Sequence, residues 1–153
     1  MSRVLLIGCG KTKRARACPA RELYTGPLFT ARRAFADASE APWWIVSAGH
    51  GLVSPDQILE PYDQSLADRS PLDRAGWALE VASALLAELP DGAVLREVCV
   101  EIHAGADYVE PLRDVLRALG VSVETPVEGL GIGEARAWYA GRARRAVLAG
   151  GTP

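Results

Sequence analysis

Three polar, glycine-bearing segments hold most of the groups in this chain that are able to do chemistry: Gly8-Cys9-Gly10-Lys11-Thr12-Lys13, Ser47-Ala48-Gly49-His50-Gly51 and His103-Ala104-Gly105. In the first, Gly8 and Gly10 let the backbone turn sharply and turn peptide N–H groups toward an anion, while Lys11 and Lys13 supply positive charge. It is not a Walker loop, because the Gly-x4-Gly-Lys-Ser/Thr spacing is absent. Cys9 sits among cations, a setting that suits a nucleophilic or redox-active thiol. The same residue equally suits a small apolar packer ending a buried strand. In the second segment His50, held between two glycines, offers a general acid/base or a phosphate ligand.

The third segment follows Val98-Cys99-Val100-Glu101-Ile102. If the sheet is covered on both faces, Val98, Val100 and Ile102 point one way and Cys99, Glu101 and His103 the other, which leaves Glu101 little water. A carboxylate there needs a partner or a raised pKa, both of which occur at active sites; on an edge strand it would simply face solvent. His103 at the strand exit is placed to touch a ligand, with Tyr108 one helical turn further on. The chain has two histidines, and their spacing does not support a metal site built on both, so neither metal nor cofactor is expected.

These residues converge only if the elements before them do. Val4-Leu5-Leu6-Ile7, Trp43-Trp44-Ile45-Val46 and Val98 to Ile102 read as strands, and in an open parallel sheet their carboxyl ends share one edge, where such folds bind ligands. A helix is predicted near Leu28 to Ala38, carrying Arg32 and Arg33. Residues 49–70, rich in Gly, Pro, Asp and Ser, read as a long functional loop. Ser70-Pro71-Leu72-Asp73 reads as an N-cap, a Pro at the first helical position and a first-turn acid, opening a helix to about Leu89 with Trp77, Val81 and Leu85 buried. Pro90-Asp91-Gly92 is a turn. Ala106 to Leu119 is a helix closed by Gly120, with Pro111 in or near its first turn. Val121 to Thr125 is a short, less buried strand, and a last helix from about Ile132 to Val147 carries Trp138 on one face. This alternation implies right-handed crossovers and a three-layer, Rossmann-like α/β domain with a mostly parallel sheet of about four strands.

The 153 residues fit one domain, 1–153, able to bury a core without disulfides or metals. No apolar stretch approaches a membrane span and the start has no signal-peptide pattern, so a cytoplasmic protein without a membrane partner is expected. Three cysteines leave an odd one, and Cys9-x8-Cys18 does not fit zinc-finger spacing. The net charge of −2 hides an uneven distribution: residues 1–33 carry +7, residues 37–128 carry −12 and residues 134–145 carry +3. If both ends lie near the ligand edge, Lys11, Lys13, Arg14, Arg16, Arg21, Arg32 and Arg33 form a positive patch suited to a phosphate-bearing partner; otherwise they are a solvated loop and an amphipathic helix. Composition leaves the oligomeric state open.

Four stretches occur in an order that resembles a known family. Cys9-Gly10-Lys11-Thr12-Lys13, Leu23-Tyr24-Thr25-Gly26-Pro27-Leu28-Phe29, Val46 to Asp56 and Glu60-Pro61-Tyr62-Asp63 are similar to the peroxide-stress YaaA-like family. There the matching stretches read like Ala-Lys-Thr, Tyr-Thr-Gly and Leu-Ser-Gly-Leu-Tyr-Gly-Val-Leu-Arg-Pro-Asp, followed by a Pro-Tyr pair. The match covers roughly residues 7–66, and Gly129-Leu130-Gly131-Ile132-Gly133 resembles only the family's small members. The resemblance implies a shared pocket from Lys11, Tyr24, Ser47, Gly49, Gly51, Pro61 and Tyr62, and an association with DNA binding and protection against oxidative DNA damage. The helix-hairpin-helix element of the longer members has no counterpart in this shorter sequence. At position 50 the chain has histidine where the family has tyrosine.

Two function classes follow. The first is an enzyme acting on a nucleotide, nucleoside or modified base, cleaving or exchanging an N-glycosidic bond. Glu101 or Asp63 supplies the carboxylate, His50 or His103 the acid for the departing base, and Lys11, Lys13 and Arg21 the phosphate contacts. Tyr24, Tyr62 and Tyr108 are candidates to stack on the base. The second is a nucleotide or single-stranded nucleic-acid binding module without chemistry, using the same basic patch. A thiol-based peroxide sensor centred on Cys9 is a third.

Overall fold

The first strand, β1 (Ser2–Gly8), has no polar side in its interior: Val4, Leu5, Leu6 and Ile7 are all buried, as in a strand covered on both faces. In the computed structural model, which describes residues 2–150, β1 is the middle strand of a five-stranded sheet. The chain continues through β2 (Cys18–Pro19), the one-turn helix α1 (Ala20–Leu23), α2 (Pro27–Ala38), β3 (Trp43–Ser47), β4 (Gly51–Val53) and β5 (Ile58–Leu59). It then forms α3 (Pro71–Glu88), β6 (Val98–His103), α4 (Ala106–Ala118), β7 (Ser122–Glu124) and α5 (Ile132–Gly150). The strand order is β4-β3-β1-β6-β7. Strand β1 pairs in parallel with β3 and β6, β6 pairs in parallel with β7, and β4 runs antiparallel to β3.

Alternation along the strands divides the core in two. Val4, Leu6, Val46, Val100 and Ile102 face α3 and α4, where Trp77, Val81, Leu85, Leu112 and Leu116 complete one cluster. Leu5, Ile7 and Ile45 face α2 and α5, where Phe29, Phe35 and Tyr139 complete the other. Each large apolar side chain so buried contributes about 1.5–3 kcal/mol before the entropy of ordering it. Local signals agree with this packing. The Ser70 hydroxyl accepts from Asp73 N at 3.1 Å and Pro71 occupies the first helical position of α3.

The sheet has five strands rather than about four, an arrangement consistent with a Rossmann-like fold. The additional strand comes from residues 49–70, expected as one irregular loop. The chain turns at Ala48-Gly49-His50, Gly51 takes a left-handed φ of 68°, and β4 returns along β3. Beyond it β5 pairs with β2, and Leu66–Asp68 forms a 3-10 turn. Strands of two or three residues carry too few positions for alternation to be legible. Pro111 lies inside α4 just after its first turn, and on α5 Trp138 packs partly buried beside Tyr139, which is fully buried.

The connections define a crevice. From β1 the chain leaves through α2 toward β3, whereas from the adjacent β6 it leaves through α4 toward β7 on the other side. Loops from two neighbouring carboxyl ends therefore diverge to opposite faces, the position at which doubly wound sheets bind ligands.

Candidate functional site

At that crevice lies a cleft of about 450 Å³. Cys9, Gly10, Lys11 and Lys13 from the loop after β1 form one wall, Asp63, Gln64, Ser65 and Asp68 a second, and Asp107 and Tyr108 from the first turn of α4 a third. The loop after β1 is pinned rather than free. Arg14 N donates to Leu23 O at 2.8 Å and Thr25 N to Thr12 O at 3.0 Å, so Lys13 lies beside Tyr24. Its ammonium stands 4.6 Å from the centre of the Tyr62 ring and donates to Lys11 O at 3.0 Å.

A chain of hydroxyls backs the cleft. The Tyr62 hydroxyl is 2.6 Å from both the Tyr24 hydroxyl and Ser47 Oγ, and Ser47 Oγ accepts from Gly49 N at 3.2 Å and His50 N at 3.1 Å. Gly49 is required here, because a Cβ would stand 2.9 Å from the Tyr62 ring. On the other side, Cys9 Sγ is 3.4 Å from the Tyr108 hydroxyl, and the Tyr108 ring packs edge-on against Trp77 at 5.4 Å. Trp77 in turn donates to Ser47 O at 2.9 Å. Burial pushes the Tyr24 phenol up to about 12, against the hydrogen bond with Tyr62 that works downward. Burial likewise raises Tyr62 and Tyr108, and the nearby Cys9 sulfur adds to both shifts. All three phenols therefore keep their protons and act as hydrogen-bond donors, not bases.

Glu101 and His103 are brought together, but not in the cleft. Paired with Leu5 and Ile7 across the sheet, they point under α2 and α5 and are 3% and 0% exposed. Glu101 accepts from Arg3 Nε and His103 Nε2, each at 2.8 Å, and His103 Nδ1 is 3.0 Å from the Tyr139 hydroxyl. Burial pushes the Glu101 carboxyl up, but the hydrogen bonds from His103 and Arg3 outweigh it and hold the group at about 2. Burial lowers His103, with Arg32 and Arg3 adding to the effect and Glu101 opposing it. A neutral imidazole satisfies both contacts: Nε2–H donates to Glu101 and Nδ1 accepts from Tyr139. The expectation of Glu101 with little water holds. The placement of His103 against a ligand does not, because the strand exit is roofed by Phe35, Trp138 and Tyr139.

The remaining candidates disperse for identifiable reasons. Tyr24 is 2% exposed, so its ring has no free face for a base; it holds Tyr62 instead. His50 lies at the tip of the β3–β4 turn, exposed, its ring edge-on to Tyr62 at 4.8 Å and outside the cleft lining. Arg21 pairs with Asp37 and Asp56, each at 3.3 Å, and covers Trp43. Arg32 is buried and Arg33 donates to Arg21 O at 2.8 Å. Of the seven cations expected to form one patch, Lys11 and Lys13 line the cleft, and Arg14 and Arg16 are exposed. Sequence reasoning missed Asp68 and Asp107. Asp107 was within reach, because it precedes Tyr108 in the first turn after a carboxyl-edge strand end; Asp68 had no local signal. Among the described residues no three or more His, Cys, Asp or Glu side chains group as a metal site, and no helix is long and apolar enough to cross a membrane.

Fold and site together define an α/β protein with a mostly parallel sheet and a polar cleft at its carboxyl edge. Residues 4–141 match DUF6884, a family of unknown function, and the chain belongs to that family. The match takes in β1 from Val4 onward, the whole cleft and the first half of α5. No curated protein matches the chain.

Proposed function

We propose that the cleft binds a nucleoside or nucleotide and that the protein cleaves or exchanges its N-glycosidic bond. The observation that carries this reading is the opposition, across one cleft at the strand switch, of Lys11 and Lys13 to Asp63, Asp68 and Asp107, with Tyr108 between the walls. The lysines neutralise a phosphate. A carboxylate at Asp63 or Asp107 orients water and stabilises positive charge growing at the anomeric carbon. In hydrolysis the bond from that carbon to the base nitrogen breaks as the water oxygen bonds to the carbon; the carboxylate takes the proton that the water loses and passes it to the departing base nitrogen, so that water is added across the bond. Tyr108, which keeps its proton, contributes a hydrogen bond to the base. The order of motifs resembling the YaaA-like family supports the same pocket, since Lys11, Ser47, Gly49, Tyr24 and Tyr62 all build or back the cleft.

This reading moves the chemistry from Glu101 and His103, which serve the interior, to Asp63 and Asp107. The test is incubation of the full chain with nucleosides, nucleoside monophosphates and short single-stranded oligonucleotides, followed by mass spectrometry for free base. Release that disappears in Asp63→Asn or Asp107→Asn and persists in Tyr24→Phe supports it. No release across the panel, with salt-sensitive retention of an oligonucleotide, favours the binding module, for which the exposed Arg14 and Arg16 beside the cleft lysines are the supporting feature. A Cys9→Ser protein with unchanged activity assigns that thiol to packing against Tyr108 rather than to redox chemistry.

A further inference from the structure

On the other side of the loop after β6, a second and smaller cavity of about 270 Å³ shares no lining residue with the cleft. Arg32, from α2, and Ala104-Gly105-Ala106, where α4 begins, are among its lining residues. Arg32 is only 8% exposed, and its Nε has no hydrogen-bond partner among the described residues. The groups on which its charge acts, the Tyr139 hydroxyl through a hydrogen bond and the His103 imidazole, carry no negative charge to offset it. A guanidinium stays charged at any physiological pH, so burying it without a carboxylate is costly unless an anion arrives from outside.

The one acid lining this cavity does not serve. Glu128 is engaged by Arg113 Nη1 through both carboxylate oxygens and by the Thr125 hydroxyl at 2.8 Å. The start of α4 adds a second, independent attraction. Its N-cap is Gly105, which has no side chain to satisfy the first-turn N–H groups, and the helix is 13 residues long. Peptide N–H groups and the positive end of the dipole therefore lie at the cavity that Arg32 also lines.

From this convergence we infer that Arg32 and the amino terminus of α4 form a subsite for a small oxyanion, the phosphate or carboxylate group of a ligand. The cavity is too small for a whole nucleotide but fits such a group. The inference stands apart from the reaction proposed for the cleft, because it concerns different residues and is read by binding alone.

The experiment is thermal unfolding of the full chain titrated with inorganic phosphate, and separately with acetate, at constant ionic strength. At tenfold excess over its Kd the anion raises Tm by about 4 °C. A response to phosphate alone assigns a phosphoryl group, and one to acetate alone a carboxyl group. Arg32→Met abolishes the response. Gly105→Asp, which places a carboxylate at the N-cap where a Cβ meets nothing within 4 Å, also abolishes it while raising Tm in the absence of anion. Arg16→Met, which changes an exposed cation outside both cavities, leaves it intact. The inference is overturned if neither anion shifts Tm, if both Arg32→Met and Gly105→Asp respond like the parent, or if Lys13→Met alone loses the response, which would place the anion in the cleft.

Discussion

Gly8 and Ala104 meet where β1 and β6 end: a Cβ on Gly8 would lie 2.7 Å from the Ala104 Cβ and 2.9 Å from its Cα. The contact brings the Cys9 loop against the start of α4, and the crevice that holds the cleft exists because no side chain separates them.

Gly8→Ala is therefore expected to destabilise the protein by about 1–3 kcal/mol, as overpacking against backbone does. Gly10→Ala, whose Cβ would meet Phe29 at an ordinary 3.9 Å, is expected to cost well under half of that. Urea unfolding of the two proteins decides; equal losses would mean that the close approach is not what positions the loops.

Tyr62→Phe removes the hydroxyl that joins Tyr24 to Ser47. The expected cost is about 1–3 kcal/mol, because two partners in a half-buried site lose a hydrogen bond. Hydrogen exchange at Gly49 and His50 should accelerate, since both amides are held by Ser47 Oγ. Unchanged protection there would show that Ser47 holds the turn without Tyr62.

Acid stability follows from the interior pair. Glu101 is depressed to about 2 from an ordinary value near 4.5, so the native state releases a proton that the unfolded chain still binds between those values. Its contribution, on the order of 3 kcal/mol, is fully present above pH 4.5 and is lost as pH falls toward 2. His103 is also lowered, so it opposes folding as pH drops below about 6.5, where the unfolded imidazole becomes charged. Stability should decline from pH 6.5 downward and more steeply below 4.5. In Glu101→Gln the lower segment of that slope should flatten, alongside a loss at neutral pH because the amide keeps one acceptor oxygen where Arg3 and His103 each used one.

Alkaline behaviour is set by the tyrosines. The chain has four, Tyr24, Tyr62, Tyr108 and Tyr139, and burial raises every one. Above pH 10 the unfolded chain sheds phenolic protons that the native state keeps, so stability falls as pH rises, Tyr24 alone contributing on the order of 2 kcal/mol by pH 12. Phenolate absorbance should appear together with the loss of helical circular dichroism. A tyrosine that ionises near pH 10 before unfolding would contradict the burial of that residue.

Much of this architecture was legible along the chain because it depends on neighbours in sequence. The buried runs Val4 to Ile7 and Val98 to Ile102, the Ser70-Pro71 start of α3 and the Gly120 stop after α4 are local patterns with local causes, and each element forms where its pattern lies. The carboxyl-edge site follows from the order of those elements, since parallel strands put their ends together whatever the loops contain. What tertiary structure decided was which charges face solvent and which acids meet them. Arg32 and Arg33 adjoin in sequence, yet the first is buried at the cavity beside the start of α4 and the second is tied to the backbone of α1. Glu101 is costly to bury by its place on the strand, but its partner Arg3 lies 98 residues away, and His103, expected against a ligand, instead meets Tyr139, 36 residues on. Helical and strand periodicity assign a face to a residue; they do not say what packs on that face, because that depends on contacts between segments far apart in the chain.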